Sequence, residues 1–84
     1  MRMYEYRGKK NVCGKRVREY RQQQQITQTE LAARLQTCNV VLDQKAVSRI
    51  ELELRVVADY ELWALAKVLK VDMADLLEID LLEE

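Results

Sequence analysis

The stretch Thr27–Glu51, "TQTELAARLQTCNVVLDQKAVSRIE", constrains the fold of this chain more than any other. It holds two helix-start signals. Thr27 with Glu30 is a capping box, in which the hydroxyl takes an orphan first-turn N–H and the carboxylate reaches back to the N-cap amide. Asp43, just before "QKAVSRIE", is a second N-cap. Leu31, Ala32 and Leu35 share one helical face, and so do Val47 and Ile50. These signals describe two short amphipathic helices joined by a loop. The outer face of the second helix opens with Gln44, Lys45, Ser48 and Arg49, side chains of the kind that read base edges in a DNA major groove. On their own, the same four residues are also an ordinary solvated helix face.

The flanking sequence supplies supports for this pair. Cys13, Val17 and Tyr20 lie at i, i+4 and i+7, which predicts a helix from about Asn11–Cys13 to Gln23. "QQQQ" at 22–25 covers that helix end and a turn, and Ile26 plugs the gap before the next helix. The second helix runs from about Gln28 to Thr37, with Asn39 the best left-handed residue to stop it. In the following "NVVL", at least one of Val40, Val41 and Leu42 must turn inward. The third helix spans roughly Gln44–Glu53, and "LRVVA" connects it to a fourth opened by Asp59. Leu62, Leu65, Ala66 and Leu69 form the core stripe of the fourth helix, with Trp63 one step round, either sealing its rim, the preferred reading, or part of a contact surface. Asp72 caps a short fifth helix near Met73–Glu78, and Leu76 and Leu77 are expected to point inward.

Three segments follow: a poorly ordered basic arm at 1–10, a domain at 11–78, and an apolar, acidic tail at 79–84 that either folds back or, the preferred reading, pairs with a second copy. The chain has 84 residues, no Pro and two Gly, a helix-forming composition in one small domain. So short a chain is marginal alone, which makes a partner chain an expectation. With no apolar run long enough for a membrane span and no secretory leader at the start, a cytoplasmic protein is expected. The absence of His removes the usual general base and the common zinc patterns. No catalytic set can be written, so neither an enzyme nor a cofactor is expected. Cys13 and Cys38 read as reduced, mostly buried small hydrophobes. Net charge is zero but uneven: residues 1–42 carry nine basic and three acidic groups, and residues 43–84 five basic and eleven acidic. A basic end for a polyanion and an acidic end pointing away fit that asymmetry, as do two solvated faces.

The segments "GKRVREYR", "ITQTELAARL", "DQKAVSRIE" and "YELWALAKVLKVDMADLL" together resemble the phage-repressor (Cro/XRE-type) helix-turn-helix family over residues 13–77. The resemblance implies an all-α, compact five-helix domain with the helix-turn-helix at helices 2–3. It implies that Ala32 meets Val47, that Ile50 locks the third helix to the core, and that Arg21 pairs with Glu51. It places Gln44, Lys45, Ser48 and Arg49 over the bases and Gln28 at the phosphate backbone, with Arg16, Arg18, Arg21, Lys45 and Arg55 neutralising phosphates.

The chain departs from the family pattern in three places. The turn "QTCNVVLD" is about five residues longer than the usual Gly-x-Ser type. The usual Glu-x-Gly after the third helix reads Glu51-Leu52-Glu53, where Glu53 would repel phosphate and Arg55 would have to compensate. The C-terminal half is acidic. The expected function is sequence-specific binding of double-stranded DNA by a small transcriptional regulator, as a homodimer. The alternative is a protein-interaction module, antitoxin-like or a dimerisation partner, with weak or no DNA binding.

Overall fold

The computed structural model describes residues 5–78, and these form five helices: α1 (Gly14–Gln23), α2 (Gln28–Gln36), α3 (Gln44–Glu51), α4 (Asp59–Leu69) and α5 (Met73–Leu76). No named strand occurs among the described residues; the one extended pairing is an isolated bridge between Tyr6 and Lys9. Both expected caps of the central pair are present. Thr27 Oγ1 accepts the Glu30 N–H at 3.0 Å, and Glu30 Oε1 accepts the Thr27 N–H at 2.9 Å. Asp43 Oδ1 accepts the Ala46 N–H at 2.8 Å. At α4 and α5 only the back-reaching half of the box forms, with Glu61 accepting from Ala58 N–H and Asp75 from Asp72 N–H.

One core unites the five helices: Val17 from α1, Leu31 and Leu35 from α2, Val47 and Ile50 from α3, Leu65 and Leu69 from α4, and Leu76 from α5 are fully enclosed. α2 and α3 pack on each other while α1 supports α3, and α4 closes the far side of α2. The lengthened connector Thr37–Asp43 is built into this core rather than looped away. Val40 and Leu42 are buried while Val41 between them is 81% exposed, the alternation of an extended segment. Asn39 takes the left-handed conformation (φ 60°) that ends α2, and the Val40 N–H returns to Leu35 O at 3.1 Å.

Three expectations change. α3 ends at Glu51 and α5 at Leu76, both two residues short of the predicted ends, because Glu53 turns left-handed (φ 64°) and Leu77 lies outside the last turn, 44% exposed. Residues 5–10 are not a loose arm. Tyr6 and Lys9 exchange N–H···O bonds of 2.7 and 3.0 Å around Arg7 and Gly8, and Lys10 N–H donates to Glu53 O at 3.0 Å. Residues 1–4 and the tail 79–84, to which the remaining arm and the dimer-contact expectation belong, lie outside the described residues.

Asn11 has a role that periodicity did not reveal. Its Oδ1 accepts the Gly14 N–H at 2.8 Å, capping α1 from three residues upstream, while its Nδ2 donates to Ile50 O at 3.1 Å and Arg55 O at 2.8 Å. One amide therefore starts α1 and satisfies the carbonyls at and beyond the C-terminal end of α3.

Candidate nucleic-acid interface

The outer surface of α3 and the start of α2 form one continuous polar face. Gln44, Lys45 and Arg49 are exposed on α3, and Ser48 is half-buried beside them. Their helical spacing puts all four on the side opposite Val47 and Ile50. A shallow cleft of about 220 Å³ adjoins them, lined by Arg18, Arg21, Gln28, Ser48, Glu51 and Leu52.

A hydrogen-bonded relay organises this face from the inside out. Glu51, 6% exposed, receives Arg21 in a two-pronged contact: Nε at 2.6 Å from Oε2 and Nη2 at 3.0 Å from Oε1. The third guanidinium nitrogen, Nη1, donates to Ile26 O at 2.8 Å, fixing the chain just before the α2 cap. Gln28 Nε2 donates to the same Glu51 Oε1 at 3.0 Å, and its own Oε1 accepts from Gln44 Nε2 at 2.6 Å. A buried carboxylate thus needs all these donors, since an unpaired one would carry the full cost of desolvation. The outermost member, Gln44, has its amide orientation set by this chain. One Nε2 hydrogen is committed to Gln28, while the other and the Oε1 lone pairs remain available for a ligand.

The expected site residues divide into two groups. Gln28, Gln44, Ser48, Arg18, Lys45 and Arg49 belong to this face. Arg21 also reaches it, but as the partner of Glu51 rather than as an open cation. Arg16 points elsewhere: it pairs with Glu19 at 2.8 Å and approaches Glu78 O at 3.5 Å, because residues 16 and 18 lie on opposed sides of α1. Arg55 is held by Glu61, with Nη1–Oε1 at 2.9 Å and Nη2–Oε2 at 3.1 Å, and Nη1 also donates to Val56 O. It does not compensate for Glu53. That role falls to Lys9, whose Nζ lies 3.5 Å from Glu53 Oε2.

The cysteines and the tryptophan take no part in this relay. Burial pushes the Cys13 thiol up to about 11, so it is an inert core group; Cys38 is half-buried and also reduced. Trp63 is 44% exposed at the rim, with Lys67 Nζ 5.0 Å from its ring centre. Among the described residues no cluster of acids and cysteines is arranged to hold a metal ion, and no helix is long and apolar enough to cross a membrane.

A search of curated protein sequences gives no match. Among solved structures, the chain is similar to the P22 c2 repressor protein, crystallised in complex with synthetic operator 9T in the presence of Tl+. The TM-score is 0.69 at 26% identity, covering 83% of this chain and 98% of that one. The helix-turn-helix family model matches residues 17–76, which takes in every helix but the first turn of α1. With the paired α2 and α3, their caps and most of the five-helix core inside that match, the chain belongs to the helix-turn-helix family of the Cro/C1 repressor type.

Proposed function

We infer that this protein is a sequence-specific double-stranded DNA-binding regulator, with α3 entering the major groove. The observation that carries the reading is the α3 face itself. Two long cations and two hydrogen-bonding side chains stand clear of the core, and the relay from Arg21 fixes the first of them. Gln44, with one amide hydrogen and its carbonyl open, suits an adenine edge; Lys45 or Arg49 suits guanine; and Ser48 suits either. The start of α2 and Arg18 supply phosphate contacts that set register, with Gln28 bracing Gln44 from the backbone side. That the relative at 26% identity was solved on an operator agrees with this reading.

The protein acts as a homodimer on a two-fold-related site. Leu52, Leu54, Val56 and Tyr60 are 59%, 53%, 41% and 61% exposed along the exit of α3 and the start of α4, an apolar row that a second copy would cover. The same row supports the alternative, a protein-interaction module with little affinity for DNA. No catalytic or cofactor role is proposed, and the place of action is the cytoplasm.

Selection of bound sequences from a random DNA pool, with the mass of the complex measured alongside, tests both readings. An enriched operator bound by two chains, with affinity falling steeply as salt rises, supports the regulator. Absence of binding even at low salt supports the module. Arg49→Ala is expected to lower operator affinity about tenfold or more while leaving scrambled DNA nearly untouched, because a good base contact discriminates by about 1–3 kcal/mol. An equal loss on both DNAs would reassign Arg49 to a phosphate.

A further inference from the structure

We propose that the turn at residues 5–10 is a charge-neutralising clasp. It makes the acidic exit of α3 compatible with a DNA backbone and adds a basic edge there. The inference rests on the DNA-binding reading above. The basic half of the clasp, the turn at residues 5–10, lies outside the part of the chain matched by the family model, which begins at residue 17, while Glu53 lies inside it.

The argument starts from an incompatibility. Directly after the reading helix stand Leu52 and Glu53, and Glu53 would face a phosphate-bearing partner with like charge. The cation expected to offset it, Arg55, is consumed by Glu61. The turn resolves the conflict with three contacts. Lys9 Nζ lies 3.5 Å from Glu53 Oε2, and Lys10 N–H donates to Glu53 O at 3.0 Å. The reciprocal bonds between Tyr6 and Lys9 then hold Lys9 where it must be, since they close the loop around Gly8, whose φ of 80° suits glycine. Lys9 is therefore a positioned cation rather than a wandering one, and less entropy is lost in pairing it. Across the turn and Glu53, Arg7, Lys9 and Lys10 stand against Glu5 and Glu53, so the edge stays net positive, with Lys10 exposed on it. Glu53 is itself left-handed (φ 64°), so its backbone carbonyl is turned out of the α3 ladder and toward this donor.

The test is a cycle of three variants, Lys9→Gln, Glu53→Gln and the double variant. Each is measured on the selected operator and on scrambled DNA across a salt series, with thermal melts to confirm folding. Lys9→Gln exposes the Glu53 charge and is expected to weaken binding to both DNAs about two- to fivefold at low salt, with the loss fading as salt screens it. Glu53→Gln in that background is expected to restore most of the loss. Two outcomes overturn the proposal: Lys9→Gln binding as tightly as the parent, or the double variant staying as weak as Lys9→Gln. If the parent protein selects no DNA at all, it is the DNA-binding reading that fails, before the clasp is tested.

Discussion

Gly14 shows how sharply a single position can be specified. A Cβ there would run into the Ile50 carbonyl oxygen, with the Ile50 carbonyl carbon at 3.0 Å and Asn11 Oδ1 at 3.1 Å. The obstacle is mostly backbone, so it cannot swing aside. Gly14→Ala is expected to cost about 1–3 kcal/mol, as overpacking does, by pushing the start of α1 off the end of α3; urea unfolding measures it. Arg21 is the counterpart in polar chemistry. Its side chain is 12% exposed and that of Glu51 2%, and Arg21→Met would strand a buried carboxylate. A loss of about 3–5 kcal/mol in the same assay is expected, far above the value of a surface pair. A cost under about 1 kcal/mol would mean that water reaches Glu51 in solution.

At the level of elements, what the sequence made legible follows the range of the forces involved. Caps and apolar stripes act within one or two turns, so the starts of α2 and α3 fall where Thr27 and Asp43 predict, and the stripes of Leu31 and Leu35, and of Val47 and Ile50, face the core. Helix ends were less readable. Glu53 stops α3 in a left-handed conformation, with its own N–H returning to Ile50 O at 3.0 Å and the Leu54 N–H to Arg49 O at 2.9 Å; no Gly or Asn in "IELEL" marks this stop, and bonds from Asn11 and Lys10, made across the fold, add to it. The same limit applies to the site. The residues along α3 were readable from helical spacing, and Glu19, the partner of Arg16 at i+3 on α1, lies within reach of the same reasoning, whereas the partner of Arg55 does not. A guanidinium on a flexible stem takes the nearest carboxylate the tertiary structure offers, and for Arg55 that is Glu61 in the next helix. The N-terminal turn leaves no mark in the sequence for a related reason: a mixture of aromatic and basic residues has no periodicity, and the turn is held by Glu53, more than forty residues away in the sequence.

Taken as a whole, the molecule has three of its charge pairs, Lys9–Glu53, Arg21–Glu51 and Arg55–Glu61, where they tie separate segments together, and its carboxylates give it an acid limb of stability. Burial raises the Glu61 carboxyl, but the Arg55 guanidinium and the Ala58 N–H outweigh it and hold the group below the usual carboxylate range. Glu30 is held low by the Thr27 N–H. A depressed folded pKa means that the unfolded chain binds more protons through this range. The contribution is therefore complete above the unfolded carboxylate value of about 4.3 and is lost as pH falls through the lower folded value. Glu61→Gln is expected to flatten that limb, in melting temperature against pH, and an unchanged slope below about pH 4.5 would show that Glu61 is not its source.

The relay from Arg21 through Glu51 and Gln28 to Gln44 also has a consequence for redesign. In a reading helix that is a free-standing rack of side chains, specificity can be transplanted by copying the outer residues of α3 alone. Here Gln44, the first of the proposed readers, is braced by Gln28 on α2, which is braced in turn by the Glu51 carboxylate buried at the end of α3. A graft that moves Gln44 without Gln28 and Glu51 would carry the letter across but not its orientation. On the proposed reading, Gln44 carries its specificity only together with Gln28, Glu51 and Arg21, four residues on three helices, and new operators are expected to be reached more readily by changing Lys45, Ser48 or Arg49, which stand outside the relay.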